Sequence, residues 1–233
     1  MLSETFSQWF QEGVILTPMV RLILEGIFVT LYMTLVSTIV AYLLGLPMGI
    51  ALVITAKDGL RSNKVIYKVL DTIVNIVRSV PFLILLILVL PLTRAIVGKT
   101  YGPTATIVPL VLAAAPFIAR MVESSLIEVD KGVIEAAQSM GANLWTIIWK
   151  VMLAEARTSL IVGATIVLGT VLGYSAMAGI VGGGGLGDIA IQYGYYRYQA
   201  DIMWVTVILL VLLVQIMQFV GTKLSKKMDK RVR

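Results

Sequence analysis

The sequence contains no cysteine and no histidine in its 233 residues. Without cysteine there are no disulfide bonds and no thiolate metal sites, and without histidine a zinc or haem site is not expected. Charged residues are also scarce, at 14% of the chain, whereas an ordinary soluble domain has about 25%. These absences disfavour a disulfide-stabilised fold, a metal-dependent fold and a typical soluble domain.

The missing charges leave long apolar stretches. Four stretches without a charged residue lie between Glu25 and Lys57, Lys99 and Arg120, Arg157 and Asp188, and Asp201 and Lys223. A helix needs about 20 apolar residues to cross the hydrocarbon layer, so each stretch can hold one crossing. A fifth apolar pattern begins near Val69 and continues past Arg78. With a mean hydropathy of +0.93, the chain is predicted to be all-α, a polytopic membrane bundle of five transmembrane helices.

We place the five spans near residues 26–55, 68–92, 103–121, 158–179 and 202–222. The membrane domain then covers 25–222, between an N-terminal segment, 1–24, and a basic tail, 223–233. A long loop, 122–157, joins the third span to the fourth. In the N-terminal segment, Phe6, Trp9 and Phe10 indicate an interfacial amphipathic stretch, with a loosely ordered tail as the alternative.

The distribution of basic residues predicts the orientation in the membrane. Of the 19 lysines and arginines, most lie after the first span, in the long loop from Arg120 to Arg157, or in the tail. Because positive residues remain cytoplasmic, the N-terminus is predicted outside and the C-terminus and long loop inside. Since these residues flank the spans, the net charge of +6 does not indicate a nucleic-acid partner.

Proline, glycine and tyrosine predict local irregularities. The segment Gly45-Leu46-Pro47-Met48-Gly49 predicts a bend or an exit in the first span, and Pro81 a kink in the second. Three prolines, Pro103, Pro109 and Pro116, predict an irregular third span. Tyrosines near the outer end of the last span predict an interfacial belt, with a ligand cage as the alternative; with Trp204 they are Tyr193, Tyr195, Tyr196 and Tyr198.

Glycines mark the fourth span and the segment after it. The run Gly182 to Gly185 predicts close packing of backbones or re-entry of the chain. Gly169 and Gly173, four residues apart, indicate a close helix contact, either within the chain or between subunits.

The long loop contains Glu135-Ala136-Ala137, and Gly141 follows Glu135 by six residues. This spacing predicts a short helix that a left-handed glycine ends, with a second short helix after it. Nine residues separate Gly141 from Val151-Met152-Leu153, which Ala154 follows. The pattern resembles the EAA loop of the membrane subunits of bacterial ABC importers, in which isoleucine stands at the position of Val151 and proline at that of Ala154.

Two further segments narrow the resemblance. Gly173-Tyr174-Ser175-Ala176-Met177-Ala178-Gly179 with the following glycines, and Arg78-Ser79-Val80-Pro81-Phe82, are similar to methionine-importer permeases of that family. The resemblance implies the ABC type-1 transmembrane fold, a homodimer, two separate ATPase subunits and an extracytoplasmic binding protein in a bacterial cytoplasmic membrane. It implies methionine, D and L, as cargo. It also implies an ATPase-coupling role for Glu135, Ala136, Ala137, Met140 and Gly141.

Two segments match phosphate-binding motifs only in part. Gly98-Lys99-Thr100 resembles the end of a P-loop, but Thr93 stands where its first glycine belongs. Gly182, Gly184 and Gly187 fit G-x-G-x-x-G without the strand–turn–helix context that the motif requires. We therefore expect no cofactor and no enzyme activity in this chain, with ATP and magnesium bound by a partner ATPase.

Asp71, Asn75 and Arg78 share one face of the second span. Ionisable groups at membrane depth often mark a transport path; alternatively, Asp71 lies at the cytoplasmic interface and Arg78 joins two helices. The candidate translocation path consists of Asn75, Arg78, Pro81, Tyr174, Ser175 and Met177.

Other functions remain open at this stage. An ABC permease for another amino acid or an osmolyte would share the same loop. A self-sufficient, ion-driven secondary transporter predicts inverted repeats and uptake by this chain alone. A membrane scaffold predicts no cargo flux.

Overall fold

The computed structural model describes residues 18–228, and every regular element in that range is helical. We label the helices in chain order as α1 (Pro18–Thr55), α2 (Lys64–Ser79), α3 (Phe82–Leu88), α4 (Leu90–Val97), α5 (Pro103–Ile127), α6 (Lys131–Ser139), α7 (144–155), α8 (Arg157–Met177), α9 (Gly185–Ile189) and α10 (Ala200–Met228). The centre of α7 is a π-helix, Ile147–Met152. A 3₁₀ turn, Ala178–Val181, extends α8, and a π turn, Ala190–Tyr195, extends α9.

Four helices are long and apolar enough to cross a membrane: Pro18–Thr55, Pro103–Ile127, Arg157–Val181 and Ala200–Lys227. The fifth candidate is the pair α2 and α3, whose axes meet at 105°. The predicted all-helical membrane fold is confirmed, but the second span is a bent pair and not one straight helix. The N-terminal stretch with Phe6, Trp9 and Phe10 lies outside the described residues, as does the end of the basic tail.

Three boundaries differ from the prediction. α1 begins at Pro18, before the predicted start of the membrane domain, and α10 continues into the predicted tail as far as Met228. α5 continues to Ile127, so Arg120 lies within a helix and not in the long loop. A stretch without charged residues indicates the apolar centre of a span. The helix itself can extend beyond this stretch, because its backbone hydrogen bonds do not require apolar side chains.

The bend between α2 and α3 lies at Pro81, as the sequence predicted. Val80, the residue before the proline, is extended, with φ −81° and ψ 125°. Proline disfavours the helical conformation in the residue before it, and this ends α2 at Ser79. Pro81 precedes the first residue of α3, where its missing N–H leaves no hydrogen bond unmade.

The expectation that the first span ends at Pro47 is wrong, because α1 runs unbroken through this residue. The two flanking glycines have a packing role. A Cβ added at Gly45 would lie 2.6 Å from the carbonyl oxygen of Ala115, and one at Gly49 would lie 2.6 Å from that of Ala119. Small residues therefore bring α1 and α5 into backbone contact, the usual packing of membrane helices.

α5 is the central helix of the bundle. It also runs unbroken, through Pro109 and Pro116, which contradicts the predicted irregularity. Membrane helices tolerate proline where neighbouring elements satisfy or shield the freed backbone groups. In its most apolar stretch of 18 residues, 61% of the residues are buried. Leu110, Ile118 and Val122 belong to the main core cluster.

The glycine run packs backbones closely, as predicted. A Cβ added at Gly183 would lie 2.8 Å from the carbonyl oxygen of Ala178. Gly185, with φ +78°, starts α9 beside α1, and the N–H of Leu186 donates to Thr30 Oγ1 over 2.9 Å. By contrast, a Cβ added at Gly173 meets nothing within 4 Å among the described residues. The intrachain contact considered for Gly173 is therefore wrong.

Candidate functional site

The candidate site begins with α6, a short helix between the end of α5 and α7. Asp130 caps its start, where Oδ1 accepts a hydrogen bond from the N–H of Gly132 over 2.6 Å. An acceptor side chain at this position satisfies one of the N–H groups that the first turn leaves free. Lys131–Ser139 is thus a helix with a defined start, in the place where the sequence predicted a short helix before Gly141.

Gly141 ends α6 in the predicted left-handed conformation, with φ +77°. The N–H of Gly141 donates to the carbonyl of Gln138 over 2.9 Å, and the N–H of Ala142 donates to that of Ala137 over 3.1 Å. These two bonds form a Schellman motif, which satisfies the last carbonyls of the helix. A Cβ at Gly141 would meet nothing within 4 Å in the part of the chain that the structure describes, so glycine is needed here for its conformation and not for space.

The Glu-Ala-Ala motif divides between two faces of α6. Glu135 and Ala136 are exposed, and Met140 beyond them is 82% exposed. Ala137 is only 5% exposed and joins Ile147 and Met152 of α7 in the core cluster. The helical period therefore turns Ala137 towards the protein, and its role in coupling to an ATPase stays a prediction. Its small size lets α6 approach α7.

α7 packs against the buried face of α6 and has two exposed tryptophans. Asn143 caps its start, where Oδ1 accepts from the N–H of Thr146 over 2.8 Å. Trp145 and Trp149, four residues apart, are both exposed. The helix continues to Glu155 and includes Ala154, which stands at the position where the family pattern has a proline.

A cavity of about 640 Å³ separates α6 from the turn between α1 and α2. Its polar lining includes Lys131, Glu135 and Gln138 of α6, together with Glu123 of α5 and Lys57 of the turn. The inner side of α6 is thus packed on α7, while its side towards α1 and α2 faces open space.

A polar cluster joins α2 to α5. The Arg120 guanidinium donates to Asp71 and, over 2.9 Å, to Asn75 Oδ1; it also donates to Glu123 Oε2 over 2.6 Å. Arg120 therefore joins the two helices, and the expectation that Arg78 does so is wrong. Arg78 is exposed and makes no ion pair in the described part of the chain. The sequence signal for this cluster was an arginine and a glutamate three residues apart in an apolar helix.

The other candidate path residues are partly brought together. Tyr174 of α8 stacks on Phe82 at the start of α3, with ring centroids 4.5 Å apart, directly after the bend at Pro81. Ser175 is buried and donates to the carbonyl of Leu172 over 2.7 Å. Met177 and Pro81 are exposed. The role of these residues in transport stays a prediction.

The tyrosines of the outer segment are mostly exposed. Tyr195, Tyr196 and Tyr198 present their rings at the surface, as does Trp204 at the start of α10. Tyr193 lies under the guanidinium of Arg197, 4.3 Å from ring centroid to Cζ. This placement accords with an interfacial belt, which also stays a prediction.

Comparison with known proteins identifies the family. Residues 41–230 match the model described as the inner membrane component of binding-protein-dependent transport systems. The chain belongs to this family. It is therefore a multi-pass membrane component of a transport system, as the EAA loop indicated.

Relatives in this family are similar over most of their length. The probable D-methionine transport system permease protein MetI of Vibrio cholerae is 48% identical over 231 residues, 99% of this chain and 100% of that protein. The methionine import system permease protein MetP of Bacillus subtilis is 46% identical over 180 residues, 77% of this chain and 81% of that protein.

Solved structures confirm the ABC type-1 transmembrane fold. A chain from inward-facing conformations of the MetNI methionine ABC transporter is 46% identical, with a TM-score of 0.90, covering 93% of this chain and 100% of that one. An amino acid ABC transporter crystallised with histidines is 20% identical, with a TM-score of 0.70 over 91% of this chain and 94% of that one, and shows the fold alone.

Proposed function

We propose that this chain is the membrane permease subunit of an ATP-driven importer of methionine, in both enantiomers. The observation that carries the proposal is its 48% identity, over 99% of its length, to a probable D-methionine permease. The similarity to a chain of the MetNI methionine ABC transporter supports the same cargo. In that assignment the conformation described here corresponds to the inward-facing state.

The coupling element is α6. Its exposed face, with Glu135, Ala136 and Met140, sits in a cleft of a separate ATPase subunit, and Glu135 meets a basic group there. Gly141 holds the turn from α6 into α7, so that the two short helices move as one body. Closure of the ATPase then displaces this body and shifts the bundle between its two openings, as a difference in contact between the two states requires.

The assembly implied by this role has further parts. A second copy of the chain completes the membrane domain, two ATPase subunits bind ATP and magnesium, and a binding protein delivers cargo on the outer side. The N-terminus lies outside and the C-terminus lies in the cytoplasm, because the basic residues of the α1–α2 turn, the long loop and the tail share one side. Labelling of α6 from the cytoplasmic side only would support this orientation.

The test is transport by the reconstituted complex. Vesicles containing this chain, its cognate ATPase and binding protein should accumulate L- and D-methionine only with ATP. Histidine and glycine betaine serve as other cargoes. Uptake of one of these without uptake of methionine would assign the chain to a different substrate, and uptake by this chain alone would identify a secondary transporter.

A charge reversal tests the coupling face. Glu135→Lys should weaken co-purification with the ATPase by about tenfold or less, the range of a lost charge-assisted contact plus repulsion. The matched control is Gln138→Lys, which adds a positive charge three residues further along the same helix; like Glu135, Gln138 lines the cavity. Equal association of both variants and the unaltered chain would show that the carboxylate of Glu135 is dispensable.

A further inference from the structure

The attachment of α2 to the rest of the bundle is small. Of the 16 residues of α2, Val74 is the one that is buried in the described part of the chain. It packs with Leu52 of α1 and Ala119 of α5, and the half-buried Tyr67 and Leu70 of α2 pack against the same cluster. The apolar side chains along the opposite face are exposed, among them Val65, Val69 and Ile76. Apolar contact is non-directional, so these contacts alone do little to specify the position of α2 along α5.

Arg120 supplies the direction that the apolar contact lacks. Its guanidinium binds Asp71 and Asn75, which lie one turn apart on α2, and Glu123 on its own helix. Nη2 donates to both Asp71 and Asn75, whereas Nη1 donates to Glu123. Because the guanidinium is a planar fork of fixed donors, the bond of Nη1 to Glu123 orients Nη2 towards two successive turns of α2 and sets the position of α2 along α5. The Arg120 side chain is 21% exposed and that of Glu123 is 9% exposed, whereas that of Asp71 is 31% exposed and Asn75 is exposed. Water therefore competes least for the bond between Arg120 and Glu123.

Arg120 is also connected to α6 through the last turns of α5. From Arg120 to Ile127 the helix α5 is unbroken, a distance of about 10 Å at 1.5 Å per residue. Glu123 lines the 640 Å³ cavity that Glu135 of α6 also lines. At its other end, α2 leads through Pro81 into Phe82, whose ring stacks on Tyr174. A displacement of α6 thus has a continuous route to the bend.

We propose that Arg120 is a positioning residue that fixes the register of α2 against α5, so that a displacement of α6 moves α2 and the bend at Pro81 together. The proposal rests on the proposed function, because it needs an α6 that an ATPase displaces. It assigns Asp71 and Asn75 to the coupling of motion and not to cargo binding.

The first test measures methionine uptake per ATP hydrolysed in vesicles with the whole complex. Arg120→Gln should lower this ratio about tenfold, within the usual range for coupling between sites, while ATP hydrolysis and assembly stay within about twofold. A merely structural role would lower the amount of complex and leave the ratio unchanged. The matched control, Arg21→Gln, breaks an exposed arginine–glutamate pair on α1 and should keep the ratio of the unaltered chain.

Two further variants keep the proposal testable if Arg120→Gln does not assemble. Arg120→Lys retains the charge without the fork, and should give an intermediate ratio. The exchange of charges in Asp71→Arg with Arg120→Asp should recover at least part of the ratio lost in Asp71→Arg alone. An unaltered ratio in an assembled Arg120→Gln or Arg120→Lys complex, or no recovery in an assembled double variant, would overturn the proposal.

A second readout does not depend on cargo. The chain has no native cysteine, so spin labels can be placed at Val65→Cys on α2 and Ile127→Cys on α5, both exposed positions. In complexes that pair one labelled copy of the chain with one unlabelled copy, these labels report one distance. ATP should leave this distance unchanged in the unaltered complex and shift or broaden it in Arg120→Gln. The same distance with and without ATP in both would overturn the inference. A complex that fails to import methionine but shows the expected distances would overturn only the proposed cargo.

Discussion

α1 and α2 both pack on α5, but by different means. α1 meets it through Gly45 and Gly49, where an added Cβ would lie 2.6 Å from a backbone oxygen. α2 meets it through one buried side chain, Val74, and the polar cluster around Arg120. In a membrane, where lipid is as apolar as the side chains, close packing of small residues holds helices firmly. The comparison indicates that α1 and α5 form a rigid unit, whereas α2 is attached by a few specific contacts.

The largest expected effect is at the α1–α5 contact. Gly49→Leu places a side chain against the carbonyl oxygen of Ala119, and overpacking of this kind costs about 1–3 kcal/mol in the free energy of unfolding. We expect a large loss of monodisperse protein after detergent extraction. Gly173→Leu is the matched control, since a Cβ there meets nothing within 4 Å among residues 18–228. Equal yields of the two variants would refute the rigid contact.

The α2–α5 contact should respond more mildly. Val74→Ala removes the single buried side chain of α2 and should lower the free energy of unfolding by about 2 kcal/mol. Denaturation in mixed detergent measures the change, and the exposed Val69→Ala should change it little. Because Val74 and Arg120 hold the same helix, the combination with Arg120→Gln should be non-additive by about 0.5 kcal/mol or more. Strictly additive changes in the free energy of unfolding would show that Val74 and Arg120 attach α2 independently.

Gly141 sharpens the comparison, because this glycine is needed for its conformation and not for space. Gly141→Val forces a β-branched residue to φ +77°, which costs about 1–2 kcal/mol. We expect methionine uptake per ATP hydrolysed to fall about tenfold with assembly retained, a size that this energy permits. Asn tolerates the left-handed conformation, so Gly141→Asn should keep most of the coupling. Normal transport by Gly141→Val would mean that the turn has no coupling role.

The smallest expected effect is at the start of α2. Asn63 Oδ1 accepts from the N–H groups of Val65 and Ile66, each over 3.1 Å. Asn63→Ala should destabilise the first turn by about 1 kcal/mol. Hydrogen exchange should then accelerate at these two amides, while exchange in α5 stays slow. Asn143→Ala, which removes the cap of α7, is the control that should leave α2 unchanged.

Features that depend on neighbouring residues were predictable from the sequence. The bend at Pro81 follows from the chemistry of one residue and the one before it. The end of α6 at Gly141 follows from the spacing of a glycine after a helical motif. Pro47 and Pro116 misled the prediction, because their effect on a helix depends on what packs around them. The inward turn of Ala137 was missed because the motif does not say where the core lies.

The polar cluster shows the limit most clearly. Asp71 and Arg120 are 49 residues apart in the chain. Each stands out as a charge in an apolar context, and Asp71 was noted for its helical face. Their pairing depends on how far α2 has slid along α5, and no local pattern encodes that distance.

By itself, the sequence determined a helical membrane protein with a two-helix loop at one end, because the length of apolar runs and the places of glycine and proline are local properties. Only the tertiary structure decided that Gly45 and Gly49 join α1 to α5 and that Arg120 holds α2. Contacts between distant segments arise from the register and crossing of whole helices, and these are set by all their packing contacts together.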